Sequence, residues 1–135
     1  MEGPRESIRV PVRVYYQDTD AGGVVFHAQY LAFMERARTE LINALGVDLA
    51  RLADVQRVLF LVHELKARYH TPARLNDMLS VSAEVVKIGR ASLVFRHRVE
   101  RQAELLVEAE VTLALVDRDR MRPARMPKEL QQAFK

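Results

Sequence analysis

One stretch with the period of a helix, followed by four long stretches with the period of a strand, limits what this chain can fold into. From Ala28 to Leu45 the residues Tyr30, Leu31, Met34, Ala37, Leu41 and Leu45 recur every three or four positions, and Gly46 stands where a C-terminal cap belongs. Such a helix is roughly 27 Å long at about 1.5 Å per residue, and no second one of that length is legible. Ahead of it, Ile8, Val10, Val12, Val14 and Tyr16 share one parity with Arg9 and Arg13 on the other, which predicts a half-buried strand over 8–16. Behind it the alternation returns four times. Leu59, Leu61, Leu65, Ala67 and Tyr69 form one apolar parity, and Leu79, Val81, Ala83 and Val85 a second. Leu93, Phe95, His97 and Val99 make a third; Leu105, Val107, Ala109, Val111, Leu113 and Leu115 make the fourth. The breaks at Thr71-Pro72, around Gly89 and at 101–104 suit turns, and a short helix is expected after Pro127.

This order predicts an α+β domain over residues 1–135, with an antiparallel sheet wrapped around one long helix. At 135 residues the chain can bury one real core but not two. A short first strand beside longer ones leaves sheet edges to protect, so edge pairing into a homodimer or homotetramer is expected. No apolar run approaches the roughly 18–20 residues of a membrane span, and the charged segment Met1 to Ser7 does not read as a signal peptide.

Composition removes several chemistries. There is no cysteine, hence no disulfide, thiolate metal site or Cys nucleophile. Ser7, Ser80, Ser82 and Ser92 do not lie in a Gly-x-Ser-x-Gly elbow. His27, His63, His70 and His97 form no close pair at ligand spacing, so no metal site is expected; His63 and His97 read as core or interface residues and His70 as loop. Phosphate-binding glycine motifs are missing. The net charge of +3, from 21 basic and 18 acidic residues, suits an anionic partner but is no nucleic-acid signature.

What remains is the segment from Tyr16 to His27, between the first strand and the long helix. On an extended backbone Asp18 and Asp20 project to the same side as Tyr16. Gly22-Gly23 lets the main chain approach a ligand without a side-chain barrier. A carboxylate beside a helix N-terminus can act as base or nucleophile while the helix end holds developing negative charge. Asp and Gly also serve simply to turn a chain, and spacing alone leaves both readings open.

The longer string adds a resemblance. Val14-Tyr15-Tyr16-Gln17-Asp18-Thr19-Asp20-Ala21-Gly22-Gly23-Val24-Val25-Phe26-His27-Ala28-Gln29-Tyr30, then Phe33 to Glu40, resembles the hot-dog-fold acyl-CoA thioesterases of the 4-hydroxybenzoyl-CoA thioesterase class. It is most similar to their Tol–Pal-associated, YbgC-like branch. The likeness continues through Tyr69 to Asp77, Ala91 to Phe95 and Met121 to Pro127. It implies hydrolysis of acyl-CoA to free acid and coenzyme A, with coenzyme A as part of the substrate and no separate cofactor. It implies Asp20 as the catalytic carboxylate, nucleophile or general base, flanked by Tyr16 and His27, with Asp18 a structural acid. Gly22 and Gly23 would border the substrate, and Lys87, Arg90, Arg120 and Arg122 its nucleotide phosphates. Glu35 and Arg38 read as helix-surface or interface charges. A non-catalytic hot-dog module that binds acyl groups or acyl carrier protein is the alternative. A cytoplasmic location is the default expectation from a composition with no cysteine and an N-terminus that does not read as a signal peptide, with a peripheral place at the inner membrane as a further expectation.

Overall fold

A computed structural model describes residues 7–134, and in it the long helix, α1, occupies Gln29–Ala44. Residues 1–6 and 135, which the one-domain reading also covered, lie outside the described range. The helix stops where expected. Gly46 takes φ 83°, a left-handed geometry open to glycine, and its N–H donates to Asn43 O at 3.0 Å. Five strands accompany α1: β1 Ser7–Arg13, β2 Val58–Tyr69, β3 Met78–Ile88, β4 Ser92–Arg101 and β5 Glu104–Asp117. They form one antiparallel sheet in the order β1-β3-β4-β5-β2, which leaves β1 and β2 as edges. A short α2, Leu49–Arg51, runs into a π turn at Leu52–Gln56, neither of which the periodicity announces. The short helix after Pro127 is present as α3, Lys128–Ala133.

Alternation decides which face of the sheet meets α1. Leu79, Val81, Ala83 and Val85 of β3, Leu93, Phe95 and Val99 of β4, and Val107, Val111 and Leu115 of β5 are all buried. They pack with Tyr30, Phe33, Met34, Ala37 and Leu41 of α1 in one core, where each large aliphatic or aromatic side chain contributes roughly 1.5–3 kcal/mol by leaving water. The opposite face is charged. Glu84, Arg96, Glu110 and Lys66 stand in register across four strands, with Arg96 3.4 Å from Glu84 and 3.9 Å from Glu110.

Three expectations need correction. The first strand ends at Arg13 rather than running to residue 16; the chain turns into a 3-10 helix at Tyr16–Asp18, and Tyr16 leaves the apolar parity to stand 82% exposed. In β2 the register shifts between Val62 and Glu64, so His63 is an extra, exposed residue in a bulge and not core. The bulge swaps faces. Phe60 and Val62 before it, and Leu65, Ala67 and Tyr69 after it, lie opposite the inward residues of β5, whereas Leu59 and Leu61 face outward. Arg38 is not a surface charge. It is 7% exposed on the inner side of α1, and its Nη1 lies 3.1 Å from Nε2 of the fully buried His97.

Candidate active site

The loop between β1 and α1 is organised by its two aspartates in different ways. Asp18 is buried: Oδ2 accepts the Tyr15 N–H at 2.8 Å and Oδ1 the Gln29 amide at 2.9 Å, while its carbonyl accepts the Phe26 N–H at 3.0 Å. These bonds tie the loop to the first residue of α1. Asp20 faces outward. It opens a tight turn in which Gly23 N–H donates to Asp20 O at 3.1 Å and Asp20 N–H to Val24 O at 2.9 Å. Gly23 takes φ 82°, a conformation that glycine adopts without strain. Gly22 donates its N–H to Asp20 Oδ1 at 2.8 Å, and a Cβ on Gly22 would come within 3.3 Å of that oxygen. Asp20 Oδ2 has no partner among the described residues. Because the 3-10 turn replaces extended chain, the two carboxylates do not share a side, and Asp20 alone is offered to a ligand.

The start of α1 is pinned to the connection between β2 and β3. Val25 N–H donates to Ala73 O at 2.9 Å, Ala73 N–H to the Tyr30 hydroxyl at 2.9 Å, and the Tyr69 hydroxyl to His27 O at 3.0 Å. His27 is exposed, its ring 4.4 Å from that of Phe26 and edge-on to Tyr69 at 6.5 Å. A carboxylate with one free oxygen thus precedes a helix N-terminus carrying partial positive charge. The pair can attack, or activate water against, an electrophilic carbonyl and hold the oxyanion that results. Tyr69 is not among the site residues the sequence suggests; its parity marks it as a core position, and only the fold brings it to residue 27.

Lys87, Arg90, Arg120 and Arg122 are exposed and gathered by the backbone: Met126 N–H donates to Arg90 O at 2.8 Å, and Asp117 N–H to Arg122 O at 2.7 Å. Their neighbours Arg57 and Arg118, which the sequence reading passed over, are engaged with Asp119 and Asp54. The fold does not bring this cluster to Asp20 within one chain. The Asp20 loop packs beside the start of β3, through Asn76 N–H to Val14 O at 2.9 Å, whereas Lys87 stands near its end. Nine residues of strand, about 30 Å at roughly 3.3 Å each, separate the two. Among the described residues no group of three or more His, Asp or Glu side chains is placed to hold a metal ion.

A sheet wrapped on one helix, with an Asp-turn-Gly-Gly loop leading into that helix, defines a hot-dog protein of the thioester-cleaving kind, and the chain belongs to the thioesterase superfamily, whose family model matches residues 22–108. It is 47% identical over 128 residues to the acyl-CoA thioester hydrolase YbgC of Escherichia coli O6:H1, covering 94% of this chain and 95% of that protein. It is 45% identical over 124 residues to the acyl-CoA thioesterase YbgC of Haemophilus influenzae, covering 92% and 91%. Among solved structures, a probable thioesterase from Bartonella henselae superposes with a TM-score of 0.85 at 30% identity, covering 90% of this chain and all of that one.

Proposed function

We propose that the protein hydrolyses acyl-CoA to a free carboxylic acid and coenzyme A, with Asp20 as the catalytic carboxylate. The observation that carries this reading is the Asp20 turn: Gly22 holds one carboxylate oxygen at 2.8 Å and leaves the other without a partner among the described residues, in the loop that leads into α1. That oxygen either adds to the thioester carbon, giving a mixed anhydride that water then opens, or removes a proton from the water that adds. In both routes the C–S bond breaks, the thiolate of coenzyme A departs and takes up a proton, and backbone N–H groups at His27 stabilise the oxyanion. The His27 and Tyr16 side chains border the reacting group, and the bare backbone of Gly22-Gly23 admits it. Water is the only other reactant, so no cofactor is needed.

The same reading makes the particle a homodimer at least. β2 is an edge strand carrying exposed Leu61, Val62 and Leu65, and an edge of that kind pairs with another strand or aggregates. Antiparallel pairing of two β2 edges reverses direction. It sets the Lys87–Arg90 and Arg120–Arg122 end of one copy beside the Asp20 end of the second, which adds those four cations to a site that one chain alone leaves without them. Through the branch it resembles, the protein is assigned to the cytoplasm, peripheral to the inner membrane beside the Tol–Pal system. Acyl carrier protein is then a further acyl donor. Among the described residues no helix is long and apolar enough to cross a membrane.

The test is a thioester panel from acetyl- to palmitoyl-CoA followed by thiol release. At least one member should turn over, and Asp20→Asn should lower kcat at least about 10²-fold, the lower end of what loss of a general base costs, with circular dichroism unchanged. Full activity of Asp20→Asn would remove Asp20 from the chemistry.

A further inference from the structure

We propose that Tyr69, the last residue of β2, is a positioning residue for the reaction, acting through the main chain of His27; the inference rests on the thioesterase reading above. A trans peptide is planar, with its C=O and N–H pointing in opposite directions, so whatever holds a carbonyl also aims the following N–H. Two consecutive carbonyls ahead of α1 are held. Phe26 O accepts the Gln29 N–H at 2.8 Å, which fixes the N–H of His27. His27 O accepts the Tyr69 hydroxyl at 3.0 Å, which fixes the N–H of Ala28. Neither the His27 nor the Ala28 N–H donates a hydrogen bond among the described residues. The first peptide is held locally, by a turn the chain makes with itself. The second is held from 42 residues away, by a side chain on an edge strand.

Tyr69 is not simply packing that happens to carry a hydroxyl. Its side of α1 is already secured by the Tyr30 hydroxyl, which accepts the Ala73 N–H, and by the edge contact between the Tyr30 and Tyr69 rings at 5.8 Å. Removing only the Tyr69 oxygen leaves both in place. What it releases is the 27–28 peptide, beside the Asp20 turn. With that peptide clamped, two adjacent N–H groups face the oxyanion together, a concave arrangement suited to negative charge; unclamped, the second is free to rotate away. Donors aimed in advance cost no reorganisation when charge develops. The hydroxyl therefore acts mainly on the transition state, where the oxygen carries most charge, and only weakly polarises the ground-state carbonyl.

The experiment compares wild-type protein with Tyr69→Phe on the thioester that the wild type hydrolyses best. Removing a full oxyanion donor costs about 10²–10³ in kcat; loosening one donor that can still reach should cost about 10-fold, with KM and the melting temperature unchanged. A second readout uses a thioester labelled with 13C at its carbonyl and bound to Asp20→Asn. The carbonyl stretch should shift to lower frequency on binding, and by less when Tyr69→Phe is added. Unchanged kcat, or a fall in kcat matched by a fall in melting temperature with no change in the carbonyl stretch, would overturn the role of Tyr69. If the wild type released thiol from no thioester, the proposed function would fall first and this inference with it.

Discussion

His97 is fully buried on β4, and its surroundings specify its protonation state. Its Nδ1 lies 2.9 Å from Ser82 O, and a carbonyl only accepts, so Nδ1 carries the proton and Nε2 receives the Arg38 guanidinium N–H at 3.1 Å. Burial, assisted by the Arg38 charge and opposed by the Ser82 carbonyl, pulls the ring down from 6.5 to about 4. The unfolded chain therefore binds a proton, between those two values, that the native chain refuses. Stability from this group is full above pH 6.5 and is lost as pH falls to about 4, a total of about 3 kcal/mol. The melting temperature should drop on acidification through that window, and the drop should be shallower in His97→Gln; equal slopes in thermal melts would deny His97 the effect. The reading of His97 as a satisfied core residue was available from its parity. Arg38 was not, because nothing in the spacing of α1 says that a charge will find an imidazole acceptor beneath it.

At the scale of elements, the long helix and the four later strands could be read from periodicity, since each needs only a repeat of three to four or of two, and the last short helix from the proline ahead of it. The failures occur where one residue breaks the repeat. Asp18 takes the Tyr15 N–H and curls the chain into a 3-10 turn, which ends β1 early and frees Tyr16 from the core. His63 adds one residue to β2, and the odd-numbered apolar series that looks continuous in sequence is split between two faces. An excess residue can be removed where a paired one cannot. Deleting His63 restores regular alternation, with Phe60, Val62, Leu65, Ala67 and Tyr69 still inward, and should cost no more than about 1 kcal/mol, the central value for a single change that opens no cavity in the core. Deleting Lys66 instead turns Ala67 and Tyr69 outward and takes the Tyr69 hydroxyl from His27 O. Thermal melts of the two deletions should therefore differ by at least about 2 kcal/mol, within the range of a disrupted core position. Of the candidate site, the string that holds Asp20, Gly22, Gly23 and His27 is local and legible, whereas the Tyr69 contact depends on a pairing of distant segments that no local pattern encodes.

For the whole molecule, the decisive feature is polarity: the Asp20 loop and the exposed bases Lys87, Arg90, Arg120 and Arg122 sit at opposite ends of one sheet. A particle assembled through β2 should sediment at twice the 15.5 kDa of one chain or more. It should also contain sites of mixed parentage, one chain giving the carboxylate and the other the cations. Chains carrying Asp20→Asn, mixed with chains in which all four bases are reversed, would then form some dimers with one intact site and one doubly defective site. With free exchange, half the dimers are mixed and half their sites are whole, so thiol release at low substrate should recover to about a quarter of the wild-type value. Recovery no better than the sum of the separate variants would place carboxylate and cations in the same chain's site. In the language of inheritance, a particle built that way would sort alleles that damage the site, rather than the fold, into two groups according to which end of the sheet they strike. Members of different groups would then rescue each other in a cell that carries both, and members of the same group would not.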